Sequence, residues 1–245
     1  METKHKRDLT LIERGEQYLV IACDSCGGVG NKDFDEVKVA PEIVGYYTTR
    51  VALMELLSVG AAPLAVINTL SVEMKPTGRR IISGIENLLR EVKVDLEIIN
   101  GSTEENFPMK QTAMGVTLIG EVEKSQLRLS KSQRGDFVLL LGIPKVGGEI
   151  TLPHDEEICS FEGLNFLRQH PSIGDIIPVG SKGITYEAQL LAALNKCKIE
   201  ISLNKIDMKK SAGPATALIF TIPEADLEEI QESLRGPLHI IGRLV

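Results

Sequence analysis

Between residues 23 and 36 the chain reads CDSCGGVGNKDFDE, which places three glycines, one lysine and four carboxylates within fourteen residues. Residues of these types at this spacing serve several chemistries. Cys23-x-x-Cys26 has the spacing of half a zinc site or of a redox pair. Gly27, Gly28 and Gly30 let backbone N–H groups approach phosphate oxygens closely, and Asn31 and Lys32 add an amide and a mobile positive charge. Asp24, at the end of an apolar run, can hold Mg2+ beside them. The plainest alternative is a glycine-rich turn between strands with a solvated lysine.

The cysteine readings are the weaker ones. Zinc needs four ligands, yet Cys159 and Cys197 stand alone and the histidines at 5, 154, 170 and 239 form no spaced pair. A redox pair normally sits at a helix N-terminus, and two glycines directly after Cys26 argue against a helix there. Cys23 and Cys26 are therefore expected to be small buried residues. The glycine stretch matches no named phosphate loop, because Gly30-Asn31-Lys32-Asp33 lacks the Gly-Lys-Ser/Thr ending of a Walker A loop.

Two further features supply carboxylates. NGSTEEN (100–106) follows an apolar run and carries Ser102, Thr103, Glu104 and Glu105, unless it is simply a polar turn. Glu55 lies in RVALMELLSVGA, an otherwise apolar helix. A carboxylate there must be paired, metal-bound or on an exposed stripe. Arg50 is a candidate partner, although five residues is a poor separation for a pair on one helix.

The elements that must position these residues alternate between strand and helix. QYLVIACD reads as a strand, Pro41 to Val59 as a helix capped by Gly60, residues 63–72 as a strand and 76–92 as an amphipathic helix. LEIINGST and residues 112–123 follow as strands. The polar, basic segment KSQLRLSKSQRGD (124–136) marks a domain boundary, giving expected domains 1–123 and 124–245. After it come a strand FVLLLGIP, helices near EGLNFLRQ and TYEAQLLAALNK, strands KIEISL and TALIFTIP, a helix ADLEEIQESL and a strand LHIIGRL. Both halves read as α+β.

Composition narrows the function classes. The 245 residues carry a net charge of −7 and only 4% aromatics with no Trp. An acidic surface repels duplex nucleic acid, and scarce aromatics leave little for base stacking, so no nucleic-acid partner is expected. No run approaches the roughly 20 apolar residues of a membrane span, and the charged N-terminus lacks a signal-peptide core, so a cytoplasmic protein with reduced cysteines is expected.

The order of features resembles the aminoimidazole ribonucleotide (AIR) synthase superfamily, which includes thiamine-monophosphate kinase and selenophosphate synthetase. The carrying residues are Asp24, Gly28-Val29-Gly30-Asn31-Lys32, the helix acid Glu55 before Gly60-Ala61-Ala62-Pro63, the strand ending NGST, and GD-x-V-x-x-x-G at 135–142. More narrowly, ACDSCGGVGNK, VGYYTTRVALMELLSVGA and NGSTEENF are similar to the alpha-ribazole kinases, a small branch that phosphorylates the 5′-hydroxyl of alpha-ribazole in cobamide salvage.

This resemblance implies a two-domain AIR synthase-like α+β fold, a homodimer in which the N-terminal sheets of two subunits pair, and ATP bound near that interface with Mg2+. It implies catalytic roles for Asp24, Lys32, Glu55, Glu104 and Glu105, with Asp24, Glu55 and Glu104 on the metal. It further implies a phosphate-contacting set of Gly27, Gly28, Gly30, Asn31 and Lys32, joined by Ser102 and Thr103. One of Asp33, Asp35, Glu104 or Glu105 is expected to orient the attacking hydroxyl. In the second half, Ser181, Lys182, Tyr186 and Glu187 are candidates for gripping substrate, unless they only begin a helix. Two departures stand out: Ser102 replaces the acid that relatives carry just before Thr, and Ala52 replaces an Asn three residues before the helix acid. Rival readings are a thiamine-monophosphate kinase-like enzyme, a cyclo-ligase, for which the second half is short, and a non-catalytic maturation protein, whose relatives end in a Cys-bearing tail where this chain reads GRLV.

Overall fold

The structure is a computed structural model that describes residues 3–152, 154–202 and 205–245. The chain divides into two compact units, one running to Leu57 and from Ala61 to Ser125, the other made of Ser58–Gly60 and Gln126–Val245.

In the first unit the elements in chain order are β1 (Thr3–Lys6), β2 (Leu9–Arg14), β3 (Gln17–Gly27), the short β4 (Val29–Gly30) and β5 (Val37–Lys38), α1 (Pro41–Ser58), β6 (Ala62–Leu70), α2 (Arg79–Glu91), β7 (Ile99–Thr103) and β8 (Ala113–Glu123). Six of the strands form one sheet in the order β1-β2-β3-β8-β6-β7, antiparallel throughout except for the parallel β6–β7 pair.

Alternation sets the two faces of this sheet. Leu9 and Leu11 of β2, Val20 and Ala22 of β3, and Val116 and Leu118 of β8 are buried on one face. Leu56 of α1 packs on that face at Gly120, where a Cβ would come 2.8 Å from a Leu56 methyl. The helices α1 and α2 then cross in backbone contact: a Cβ on Gly45 would meet the Ile81 carbonyl oxygen at 2.0 Å, and one on Gly84 the Glu42 carbonyl oxygen at 1.9 Å. Only glycine allows that approach. Helix α1 buries Ala52, Leu53, Met54, Leu56 and Leu57, so apolar residues surround Glu55 along the chain. Proline in its first turn and Gly60 beyond its end, at φ +88°, bound it as the sequence predicts.

The structure departs from the sequence reading at three places here. Residues 3–14 form an edge hairpin that the sequence reading leaves unassigned. β3 runs on through the cysteines to Gly27 instead of ending at Asp24. Helix α2 begins at Arg79, because residues 74–78 make a separate wide turn in which Lys75 is extended.

The second unit contains β9 (Phe137–Leu141), α3 (Phe161–Gln169), β10 (Ile176–Pro178), α4 (Gly183–Leu194), β11 (Ile199–Ile201), β12 (Leu218–Ile222), α5 (Leu227–Ser233) and β13 (Leu238–Leu244). Its five-stranded antiparallel sheet has the order β10-β12-β9-β13-β11. Val138 and Leu140 of β9 join Ile184, Ala188 and Leu191 of α4 in one core. On the other side of β9, Leu141 lies against α3 at Gly163, where a Cβ would sit 3.0 Å from its methyl. The expected strand at 198–203 is shorter, and its last residue, Leu203, lies outside the described residues.

Candidate functional site

Because β3 is extended through residue 26, the CxxC spacing is read out on a pleat. An odd separation puts the two thiols on opposite faces of the strand, which suits neither a disulfide nor a shared metal. Cys23 is exposed and Cys26 half-buried, so the expectation that both are buried is corrected: the strand continues here, and its outer face carries Cys23. Burial pushes the Cys26 thiol up, which disfavours the reactive thiolate.

Asp24 shares the inner-facing parity of Val20 and Ala22. Its carboxyl is pushed up to about 6, chiefly by burial and further by the charge of Asp8, against one opposing backbone hydrogen bond from Ser25. Asp8 lies in the β1–β2 turn. It also raises Glu55, whose burial is the larger cause of its upward shift. Glu55 is only 8% exposed, which removes the exposed-stripe reading, and it forms an ion pair with Arg7 of the same turn. The charge of Asp8 thus acts on acids from two other elements, Asp24 of β3 and Glu55 of α1. Asp8 was missed in the sequence because it sits in a charged segment with no apolar periodicity. Among the described residues no group of three His, Cys, Asp or Glu stands close enough to ligate one ion as the side chains lie.

The glycine stretch forms a closed loop from Gly28 to Val37. Gly28, at φ +72°, donates its N–H to the Thr112 carbonyl at 2.9 Å and accepts from Glu36 N and Val37 N. Its amide is thereby engaged within the protein. Asp35 is buried and accepts from Thr112 N, Thr112 Oγ1 and Lys32 N at 2.7, 2.7 and 2.8 Å. Burial pushes its carboxyl up, but these donors outweigh it and hold it below the usual carboxylate range. Gly30 lets this clamp close: a Cβ there would fall 2.3 Å from Thr112 Oγ1.

Lys32 reaches from the loop to Glu73, Nζ to Oε2 at 2.7 Å. Glu73 also accepts from the Thr77 hydroxyl. Burial pushes Glu73 up, and the bonds from Lys32 and Thr77 more than reverse it. The next residue, Met74, donates its N–H to Glu105 Oε1 at 2.7 Å, and Thr103 Oγ1 donates to the same oxygen at 2.8 Å. Glu104 donates its N–H to the carbonyls of Leu70 and Val72, and its carboxylate accepts from Asn106 N. The glycine loop, the segment after β6 and the NGSTEEN turn therefore meet in one hydrogen-bonded chain. Glu73 is the link the sequence did not reveal, since it looked like part of a connection between elements.

Strand register extends this junction. Ser25 pairs with Gly115, Gly115 with Thr69, and Thr69 with Ser102, so three exposed hydroxyls and a glycine cross four strands on one face. Gly27 pairs with Ala113 at the end of β3. Beside the loop, a cavity of about 480 Å3 is lined by Asn31, Asp33, Lys38, Val39 and Ala40, next to the first turn of α1. Lys38 Nζ donates to the carbonyls of Lys32 and Asp33.

In the second unit, Ser181 and Lys182 are exposed just before α4. Lys182 Nζ lies 3.2 Å from the Tyr186 hydroxyl and 4.3 Å from its ring centroid. Glu187 of that helix is buried, next to Gly180.

Residues 7–122 match the family described as AIR synthase related protein, N-terminal domain. No curated protein sequence matches the chain. Among solved structures the chain is similar to thiamine-monophosphate kinase from Stenotrophomonas maltophilia K279a, with a TM-score of 0.66 at 20% identity over 98% of this chain and 86% of that one. It is similar to AaThiL complexed with AMPPCP and TMP, with a TM-score of 0.66 at 19% identity over 97% of this chain and 84% of that one. It is also similar to HypE, a hydrogenase maturation protein from E. coli, with a TM-score of 0.68 at 14% identity over 92% of this chain and 79% of that one. The two units described above therefore have the AIR synthase-like α+β fold.

Proposed function

We propose that the chain is an ATP- and Mg2+-dependent small-molecule kinase, and that its substrate is the 5′-hydroxyl of alpha-ribazole. The observation that carries this reading is the Lys32–Glu73–Met74–Glu105 chain of contacts, which joins a glycine loop to an acidic turn at one end of a sheet. Phosphoryl transfer asks a protein chiefly for position and charge neutralisation, and this junction offers both. The likeness to AaThiL, complexed with AMPPCP and TMP, supports the nucleotide.

In this proposal Lys32 exchanges Glu73 for a phosphate oxygen, while Asn31 and Lys38 line the cavity that receives the nucleotide. A half-buried carboxylate with one backbone donor and a second acid nearby fits a divalent cation, so Asp24 and Asp8 would hold Mg2+. Mg2+ supplies charge neutralisation on the phosphates when bound. Glu55, engaged by Arg7, supports the Asp8 turn from behind. Asp35 and Glu105 hold the protein's own donors, which leaves Asp33, on the cavity wall, to orient the substrate hydroxyl. Thr103, whose hydroxyl donates to Glu105, lies at the same junction. A second copy of the chain covers the outer face of the first sheet, where Leu19, Ile21, Ile67 and Ile119 are only partly buried. None of the helices among the described residues is long and apolar enough to cross a membrane, and the setting proposed is the cytoplasm.

The test is ATP turnover over a panel of alpha-ribazole, ordinary nucleosides and thiamine monophosphate. Phosphorylated alpha-ribazole is the expected product. Lys32→Ala and Asp24→Ala are each expected to lower kcat by about 10²–10³-fold. Full turnover in both variants would remove the site, and a cyclised or unphosphorylated product would remove the kinase assignment.

A further inference from the structure

The second unit holds a feature that the kinase reading does not use. A cavity of about 410 Å3 is lined by Gly60, Gln126, Arg128, Asn165, Arg168 and Gln169. Two guanidinium groups line it, and among the described residues neither has a carboxylate within salt-bridge distance. Arg128 is held by carbonyls: it donates from Nη1 to Ile173 O and to Gly174 O at 3.2 Å, and from Nη2 to Arg168 O at 2.8 Å. Arg168 is different. Among the described residues its side-chain hydrogen bond is to Asn165 Oδ1 at 3.1 Å, and its Nε is buried without a partner.

That arrangement is electrostatically costly as it stands. Burial pulls both guanidiniums below their ordinary values, and the charge of Arg128 pulls Arg168 down further, while Asp175 partly compensates Arg128. A buried N–H without an acceptor loses its hydration with nothing in return, and such orphans mark a missing ion or water. Arg168 also sits in the last turn of α3, where free carbonyls would ordinarily repel an anion. Here Arg128 engages the Arg168 carbonyl, and the cavity lining otherwise offers carboxamides and a glycine.

We infer that this cavity binds a compact tetrahedral oxyanion, either inorganic phosphate or the phosphoryl group of a small metabolite, with Arg168 as the principal ligand and Arg128, Asn165, Gln126 and Gln169 around it. A planar guanidinium with free N–H groups matches two oxygens of such an anion at once. The cavity lies wholly within the second unit and is independent of Lys32 and its loop.

The experiment uses the full chain carrying Lys32→Ala, so that the loop in the first unit contributes no phosphate binding. Calorimetric titration with inorganic phosphate, against chloride at matched ionic strength, is expected to show one ion per chain. Arg168→Gln is expected to weaken it at least about tenfold, and Arg168→Lys to restore part of it. Tighter binding of ribose 5-phosphate identifies a metabolite's phosphoryl group; equal binding identifies free phosphate. Equal affinity in Arg168→Gln and its parent, or no binding up to about 10 mM, overturns the inference. A measurement without that substitution guards against a variant that fails to fold: phosphate is expected to protect Arg168 from an arginine-selective dicarbonyl, mapped by mass spectrometry. Modification at the same rate with and without phosphate also overturns it.

Discussion

Asp24 and Asp35 flank the same glycine loop and have opposite electrostatic settings. Asp35 is buried, yet three protein donors hold its carboxyl low. Asp24 has one backbone donor, and burial, with Asp8 nearby, raises it to about 6. Burial alone does not decide which carboxylate is held ionised; the supply of donors does. A carboxylate fully supplied by the protein shapes the loop. One left short of donors is available to a ligand.

The largest expected effect concerns a third acid, Glu55, which is paired with Arg7. Arg7→Ala leaves a buried carboxylate with its ion pair removed and is expected to cost about 3–5 kcal/mol in denaturant unfolding. The double variant Arg7→Met/Glu55→Leu is expected to recover most of that loss. If Arg7→Ala were neutral, donor supply would not be what separates these acids.

Next is Asp35→Asn, which weakens the clamp on Thr112 and is expected to cost about 2 kcal/mol by the same measurement. Gly30→Ala attacks the clamp sterically and is expected to cost about 1–2 kcal/mol, because the added methyl must displace Thr112 or Asp35. Equal loss in Asp35→Asn and in the combined variant would show that both act on the same clamp.

The smallest effect should have the opposite sign. Asp24 has a folded pKa above its unfolded value of about 4, so its contribution to stability is complete below about pH 4 and is lost as pH rises through about 6. Asp24→Asn is expected to flatten that fall and to stabilise the protein at pH 7 by about 1 kcal/mol or less, allowing for solvent screening. Asp35 runs the other way: its held-down pKa gives stability that is present above its unfolded pKa of about 4 and lost as pH falls below it. A stability–pH profile of each variant separates the two.

Much of this architecture was legible from residue periodicity. α1 announced itself by an apolar run bounded by Pro41 and Gly60, and α2 by Ile81, Ile82, Ile85, Leu88 and Leu89 near helical spacing, all buried except the half-buried Ile82. The β1–β2 hairpin was not legible, because Lys4, Lys6 and Arg14 place charge along an edge strand and blur its alternation. Asp8 and Arg7 were lost with it. The loop and the NGSTEEN turn could each be picked out, but their junction runs through Glu73, and no local pattern marks a residue whose role is set by partners from distant segments. Arg128 and Arg168 were equally silent: one lies in a polar connecting segment, the other on an ordinary amphipathic helix.

β3 pairs with β8 over eleven consecutive positions, from Gln17–Glu123 to Gly27–Ala113, without a register shift. Such a strand acts as a ruler. Removing one residue from it would turn over everything downstream, sending the acid at 24 out towards solvent and drawing a thiol inward. A change of length that left the strand and its carboxylate in place would have to fall beyond Gly27, where β3 ends.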